Sequence, residues 1–556
     1  MPYRPLLAVW ILLLSLFTLC RRSWAQQAPT SAYLWANASG GPNYDGGELV
    51  ATDAAGNVYN AGIFWGTAQF SGTTLVSQGE LDLYVAKYSP QGALLWIRQA
   101  GSPNNNDILD LVVDAAGNVV LTGRFWSGNT VSTVSTITFG TTTLTGGSLR
   151  GDMFLAKYDT QGNFLWAQQT VSQGGYGSAG TDLAVDTNGN IYLGGTYSTA
   201  VRFGAVAVTA PASSSYFLAK YTAQGQLDWV RPALGDGISP LAYGGSFFQV
   251  AVTASNEVYL LSKSRAAVTL SATTTLPSNT TPYGVYYLAK LDSQGTLQWV
   301  RQDVLTAEEH CYDLAVSPTS NLIFACVYTG TTTHHTQLFT AQNGANPLLM
   351  SFSAQGDFLW GRTMSPSTYL GSENIRQVSL DAQGNIYTVF LARQVVSYSP
   401  AGGLRWQRIS PQNVLDMAAA APDQVVFTGV LDGSASFDAI RLTNAGSVDA
   451  FLAKLAVMVP PTVPPSAPTD PDPLPLGNIP NIITPNGDGK NDSFRLPGLP
   501  AGSWQLRVFS RWGRLVYTVD NYQQDWQAPG LADGQYFYQL QGPNQQKIQG
   551  WLDVLH

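Results

Sequence analysis

Charge is scarce in this chain: Asp, Glu, Lys and Arg make up 12 % of its 556 residues, and acids outnumber bases 36 to 28, for a net charge of −8. An acidic balance with no basic run argues against nucleic acid as a partner. Histidine is rarer still, with 4 in all. His310, His334 and His335, beside Glu308 and Glu309, match no zinc spacing and read as an exposed loop. There is no Gly-x-Ser-x-Gly elbow, no metal pair of histidines, and no acid whose setting differs from that of the turn aspartates. No catalytic residue is nominated and no cofactor is implied, although carboxylates paired across distant sequence stay open. Beyond the first residues no apolar run approaches the ~20 residues of a membrane helix, so no transmembrane segment is expected.

What the chain has is Gly (55), Trp (15), Tyr (26) and long stretches of Thr, Ser, Val and Ala, an all-β composition. Its length exceeds one compact core, so it needs two domains, a repeat architecture, or both. Arg4, an apolar run from Leu6 to Leu19 and then Ser23-Trp24-Ala25 read as a signal peptide over residues 1–25. Lipidation at Cys20 is the weaker reading, because Thr18 and Leu19 stand where that peptidase wants small residues. Removing 1–25 takes Arg4, Arg21 and Arg22 and no acid, so the charge goes from −8 by three to −11.

Residues 26–458 repeat. An alternating strand, an Asp-x-x-Gly-Asn turn and a second strand recur at Asp53–Asn57, Asp114–Asn118, Asp186–Asn190 and Asp381–Asn385, with degraded copies near Asn256, Asn321 and Gln424. Asp and Asn accept local backbone hydrogen bonds and Gly takes the positive φ of a short hairpin. A second hairpin follows as Lys-x4-Gly-x3-Trp: Lys87/Gly92/Trp96, Lys157/Gly162/Trp166, Lys220/Gly225/Trp229 and Lys290/Gly295/Trp299. Ser351 and Ser397 replace Lys before Gly356/Trp360 and Gly402/Trp406. The count reaches seven, with repeat six compressed between Gln394 and Trp406, where it could err by one.

The seventh repeat reaches Asp449-Ala-Phe451-Leu-Ala-Lys454 and has no Gly-x3-Trp strand, while Tyr33-Leu34-Trp35-Ala36 matches Leu94–Ile97 and has no repeat before it. The N-terminal strand therefore completes the last unit, which closes a ring and removes its open edge. The predicted fold is a seven-bladed β-propeller. Trp35, Trp96, Trp166, Trp229, Trp299, Trp360 and Trp406 could stack sugars if exposed, but a fixed strand position favours core packing. Cys311 and Cys326 flank one hairpin; strand parity sets them on opposite faces, against a disulfide that only a bulge would rescue. Together, Asp-x-Phe-Leu-Ala-Lys-Tyr and Asp-x-x-Gly-Asn-x-Tyr resemble the β-propeller repeat family of bacterial exported proteins, over about residues 31–456.

Residues 459–477 are proline-rich, a semi-rigid extended linker. Residues 478–556 alternate as short strands and fit a small Ig-like β-sandwich. Here Ile483-Thr484-Pro485-Asn486-Gly487-Asp488-Gly489-Lys490-Asn491-Asp492, then Arg511-Trp512-Gly513, then Tyr522, Trp526, Gly534-Gln535-Tyr536 and Gly550-Trp551 resemble the type B C-terminal sorting domain of type IX secretion, the gliding-motility-associated C-terminal family. The usual Gly after that last Trp is absent. The resemblance implies the type IX secretion machinery as partner, a Bacteroidota-type host, and export across the outer membrane to the surface or medium. Asn486, Asp488 and Asp492 offer oxygens a Ca²⁺ ion could use, and turn hydrogen bonds explain them equally well.

The function expected is binding or adhesion to an extracellular glycan or protein. Its contacts would lie on the variable stretches Ser127 to Ser148, Ala266 to Pro282 and Thr329 to Ala345. The alternatives are a propeller hydrolase acting on extracellular polysaccharide, which needs carboxylates converging on the central channel, and a structural surface-layer spacer.

Overall fold

The computed structural model describes residues 30–458 and 482–556, apart from 104, 127–134, 149, 174–176, 236–247, 280–283, 303, 306–308, 342–344, 364–376, 391, 497–498, 500–503, 512–513 and 543–546. The predicted signal segment and the linker lie outside these residues. Every regular element among them is a β-strand. Chain contacts divide the protein into two compact parts, one ending at Pro460 and one beginning at Pro461.

In the first part each repeat folds as four antiparallel strands. Repeat 1 is Asp45–Thr52, Val58–Phe64, Asp82–Tyr88 and Leu94–Gly101, paired in that order. The compressed sixth repeat keeps the pattern in Val378–Leu380, Ile386–Phe390, Gln394–Tyr398 and Leu404–Ile409. In the seventh, Asn413–Ala421, Gln424–Leu431 and Asp449–Met458 are joined on the outside by Thr30–Ser39, with Ala36 opposite Ala453. The first strands, Asp45–Thr52, Asn105–Val113, Ser178–Val185, Phe248–Val252, Glu309–Val316, Val378–Leu380 and Asn413–Ala421, each lie against the next, and the last returns to the first. The result is a closed ring of radial sheets, a β-propeller.

The described parts of the variable stretches are largely hairpins. Most of the described part of Ser127 to Ser148 is the hairpin Thr136–Phe139 and Thr142–Thr145, whose first strand pairs with Leu94–Gly101 of the preceding repeat. Val268–Ser271 with Thr274–Leu276, and Thr331–His334 with Gln337–Thr340, are hairpins at the same place in repeats 4 and 5.

Two bulges recur, and each decides where side chains point. In the first strand an extra residue, Glu48, Leu109, Thr181, Tyr312 or Leu415, breaks the register with the second strand. In the outer strand Leu34, Leu95 and Leu165 are the extra residues, which leaves Leu95 53 % exposed and sets Trp96 directly opposite Lys87. The first bulge also overturns the parity argument about the cysteines. The extra residue Tyr312 brings Cys311 opposite Cys326, and the two form a disulfide in the buried core.

In the second part the described residues form one five-stranded sheet, in the order Ile482–Ile483, Lys547–Val554, Gly534–Gln541, Gln505–Ser510, Leu515–Val519, rather than two facing sheets. Its apolar face, with Leu506, Val508, Tyr538, Leu540 and Leu552, is covered by irregular segments carrying Phe494, Leu496, Tyr522 and Trp526. The cover a sandwich would take from a second sheet comes here from loops.

Candidate functional site

In the second part Thr484 to Asp492 form a self-contained turn. The Thr484 amide donates to the Asn491 carbonyl at 2.8 Å, and Asp492 accepts from the Gly487 and Gly489 amides at 2.8 and 2.7 Å. Asp488 accepts from the Lys490 amide at 2.8 Å, and Asn486 from the Asp488 amide at 3.0 Å. Gly487, Gly489 and Asn491 take positive φ, the conformation their residue types suit. Pro485 is half-buried and Arg511 exposed, while Trp512 and Gly513 lie outside the described residues. The oxygens proposed for Ca²⁺ are thus engaged with backbone amides. Among the described residues no group of three or more His, Cys, Asp or Glu side chains is gathered to hold a metal.

In the ring the fixed tryptophans mark the seams between repeats. Five of the seven outer-strand indoles donate to the second turn of the next repeat: Trp35 to Pro90 O at 3.0 Å, Trp96 to Thr160 O at 3.0 Å, Trp166 to Ala223 O at 3.3 Å, Trp229 to Ser293 O at 3.4 Å and Trp360 to Pro400 O at 3.1 Å. Trp406 meets no such turn, because the seventh repeat borrows its outer strand from the N-terminus. It bonds Asp423 Oδ1 at 3.3 Å instead. Trp35, Trp96 and Trp406 are buried, and Trp166, Trp229, Trp299 and Trp360 half-buried. The Lys of the motif, which sequence reasoning used only as a marker, shares the indole's acceptor. Lys87, Lys157, Lys220 and Lys454 reach the same carbonyls as Trp96, Trp166, Trp229 and Trp35. Lys87 and Lys157 also pair with their own first-turn acids, Asp53 at 3.3 Å and Asp114 at 2.8 Å.

Four acids that the sequence did not single out stand on the innermost strands, directly after the bulges: Asp110, Asp182, Asp313 and Asp416. Each accepts an amide from the matching position of the next repeat. Asp110 takes Leu183 N at 2.5 Å, Asp182 takes Val250 N, Asp313 takes Val378 N at 2.7 Å and Asp416 takes Val50 N at 2.6 Å. Gln377 takes Met417 N at 3.0 Å in the same way. Burial raises all four carboxyls, Asp110 to about 7 and Asp313 to about 6, with Asp182 and Asp416 well above the usual range. The Asp110 and Asp313 charges push the other two further up. The signal that could have found these acids is their constant place before Leu111, Leu183, Leu314 and Met417 in the aligned repeats.

The histidines are not the exposed loop expected. His334 lies in a hairpin strand, is buried, and meets the fully buried Glu309 at 2.5 Å, with Thr332 donating to the same carboxylate at 2.8 Å. His335 is exposed. Phe358 stacks on the His334 ring at 5.4 Å. His334 ends the strand Thr331–His334 on its inward face, and His335 follows in the hairpin turn at φ 54°.

Among curated proteins, an uncharacterized WD repeat-containing protein of Acanthamoeba polyphaga mimivirus is 28 % identical over 127 residues, 23 % of this chain and 9 % of that protein, so the chain spans about a tenth of the relative's length. Among solved structures, the Dos1 propeller aligns over 77 % of this chain and 95 % of its own at 8 % identity and a TM-score of 0.41. BamB from Moraxella catarrhalis aligns over 76 % and 99 % at 12 % identity and a TM-score of 0.33. Residues 477–554, which hold the turn and the five-stranded sheet, match the CHU_C type IX secretion signal domain, so the chain is an exported one, sent across the outer membrane to the cell surface or the medium.

Proposed function

We propose that the chain is an extracellular binding protein: a seven-bladed propeller presented outside the cell, released from a signal peptide at residues 1–25 and carried by a sorting domain at 478–556 behind a proline spacer at 459–477. The observation that carries the reading is the match of the tail to a secretion signal domain behind a closed ring. A buried disulfide is the chemistry of an oxidising compartment and supports export independently. A glycan or protein on or near the cell is the partner class.

The hydrolase alternative needs convergent carboxylates free to reach a substrate. Asp110, Asp313 and Asp416 stand near the ring axis, but each gives its two oxygens to two backbone amides, one of its own strand and one of the next repeat. That is the work of a stitch between blades, and it favours binding over hydrolysis.

The test is to express the full chain and a version ending at Leu476 in the native host and to assay periplasm, cell surface and medium. Retention of only the shortened chain in the periplasm is expected. Equal export of both overturns the assignment of the tail.

A further inference from the structure

In four repeats a tyrosine on the second strand fills the seam towards the next repeat. Tyr59 sets its ring 6.1 Å from Trp96, lies 4.7 Å beneath the Lys87 ammonium, and donates its hydroxyl to Gly117 O at 2.6 Å. Tyr192 with Trp229 and Lys220, and Tyr259 with Trp299 and Lys290, repeat the arrangement at 5.5–6.0 Å. Tyr387 packs on Trp406 at 5.9 Å. The intramolecular ligand of these four seams is thus a phenol on an indole, under a lysine cation in repeats 1, 3 and 4. Its hydroxyl lies on a carbonyl in repeats 1 and 4, where Tyr259 reaches Ala354 O at 3.0 Å, and on Asp381 at 2.8 Å in repeat 6.

Repeat 2 lacks it. At the position of Tyr59 stands Val120, as the pairings Tyr59↔Lys87 and Val120↔Lys157 show. The holders are all retained. Asp114, Lys157, Trp166 and Gly189, counterparts of Asp53, Lys87, Trp96 and Gly117, line a cleft of about 510 Å³. The exposed residues Leu165, Asn188 and Gln224 at its edge leave it open to solvent. The other two repeats without the tyrosine have lost part of the set. Repeat 5 has Ile323 but Ser351 in place of Lys. Repeat 7 has Val426, and its shortened turn gives Asp423 to Arg405 at 2.6 Å.

We propose that the cleft between repeats 2 and 3 receives a phenolic ring from outside the chain, lying against Trp166 under Lys157 and donating its hydroxyl to the Gly189 carbonyl. The ring is either a tyrosine side chain of a partner protein or a free phenol; the inference rests on the reading of the propeller as a binding module. A saccharide meets the indole but not the rest of the pattern, since what the other seams select is a flat ring with one acidic hydroxyl.

The probe is p-cresol, titrated into the full-length protein by calorimetry, with toluene and methyl β-glucoside as controls and Val120→Tyr as the filled variant. Saturable binding of p-cresol is expected, weakened at least ~10-fold in Val120→Tyr, whose unliganded melting temperature equals or exceeds that of the parent. No binding of p-cresol, binding equal to toluene, preference for the glucoside, or full binding retained in Val120→Tyr overturns the proposal. Should Val120→Tyr not fold, the three probes on the parent protein still decide. N-acetyl-tyrosinamide separates the sources: binding at least as tight as p-cresol assigns a protein tyrosine, and exclusion assigns a free phenol. Failure here leaves the export result untouched, so the two readings fall separately.

Discussion

Gly162 lies against the ring of Trp96, one repeat earlier, so closely that a Cβ on Gly162 would stand 2.6 Å from the indole Cδ2. Gly92 has the same relation to Trp35, Gly225 to Trp166 and Gly402 to Trp360. The Gly and Trp of one Lys-x4-Gly-x3-Trp motif therefore serve two different seams, and the fixed spacing is a property of the ring as much as of the hairpin.

Gly162→Ala should destabilise the protein by two effects, the strain of Ala at φ 77° and the collision with Trp96. Gly72→Ala isolates the first, since Gly72 has φ 90° and nothing within 4 Å of the added carbon. Urea unfolding should give a loss of about 1 kcal/mol for Gly72→Ala and about 3 kcal/mol for Gly162→Ala. Equal losses would show that the seam contact has no energetic part.

Stability should pass through a maximum in mildly acid solution. Asp313, raised by burial to about 6, and Asp110, to about 7, bind a proton more readily folded than unfolded. Their contribution is complete below the unfolded carboxyl range and is lost as pH rises through 6 to 7. Asp53 and Asp114 run the other way. Burial would raise them, but hydrogen bonds from Asn57 and Asn118 and the Lys87 and Lys157 charges outweigh it. Their contribution is present above the unfolded range and lost on acidification. Melting temperature against pH should fall on both sides of about 5, and Asp313→Asn should flatten the alkaline limb by on the order of 1–3 kcal/mol.

Breaking the disulfide should cost about 3 kcal/mol, the entropy of a loop closed between residues 15 apart. Cys311→Ser with Cys326→Ser, or the parent under reductant, should show the same loss in denaturant midpoint. Repeats 1, 2, 3 and 7 place Gly62, Gly123, Gly195 and Gly429 where repeat 5 has Cys326. The ring folds there without a cross-link, so the reduced protein should still unfold cooperatively rather than collapse.

The strands, turns and ring closure were legible because each is written several times over. Asp-x-x-Gly-Asn and Lys-x4-Gly-x3-Trp recur at fixed spacing, and Tyr33–Ala36 is a fragment with no repeat of its own. The bulges were not legible, because an extra residue such as Tyr312 has no composition of its own and inverts every parity count across it. That one displacement misplaced Cys311 against Cys326. It also hid Asp110, Asp182, Asp313 and Asp416, which look in sequence like ordinary polar positions of a strand. The tail shows the same limit: its motifs identified the domain, while the cover of its sheet by Phe494, Tyr522 and Trp526 depends on the paths of loops.

The pair Lys157 and Asp114 offers the sharpest test of the seam. Both are buried, with their charges 2.8 Å apart, and Lys157 links the first turn of repeat 2 to the Ala223 carbonyl of repeat 3. Lys157→Met leaves a buried carboxylate whose remaining partners are Asn118 and the turn amides. A loss of about 3 kcal/mol is expected, with the Asp114 carboxyl rising out of its depressed range. Asp114→Asn added to Lys157→Met removes the stranded charge, and the double variant should recover part of the loss, giving a coupling energy of about 1–2 kcal/mol in the double-mutant cycle. Additive losses would mean that Lys157 acts through its carbonyl contact to repeat 3 and not through its charge. Because Ser351 and Ser397 do without the cation in repeats 5 and 6, a ring held mainly by its indoles would show that additive result.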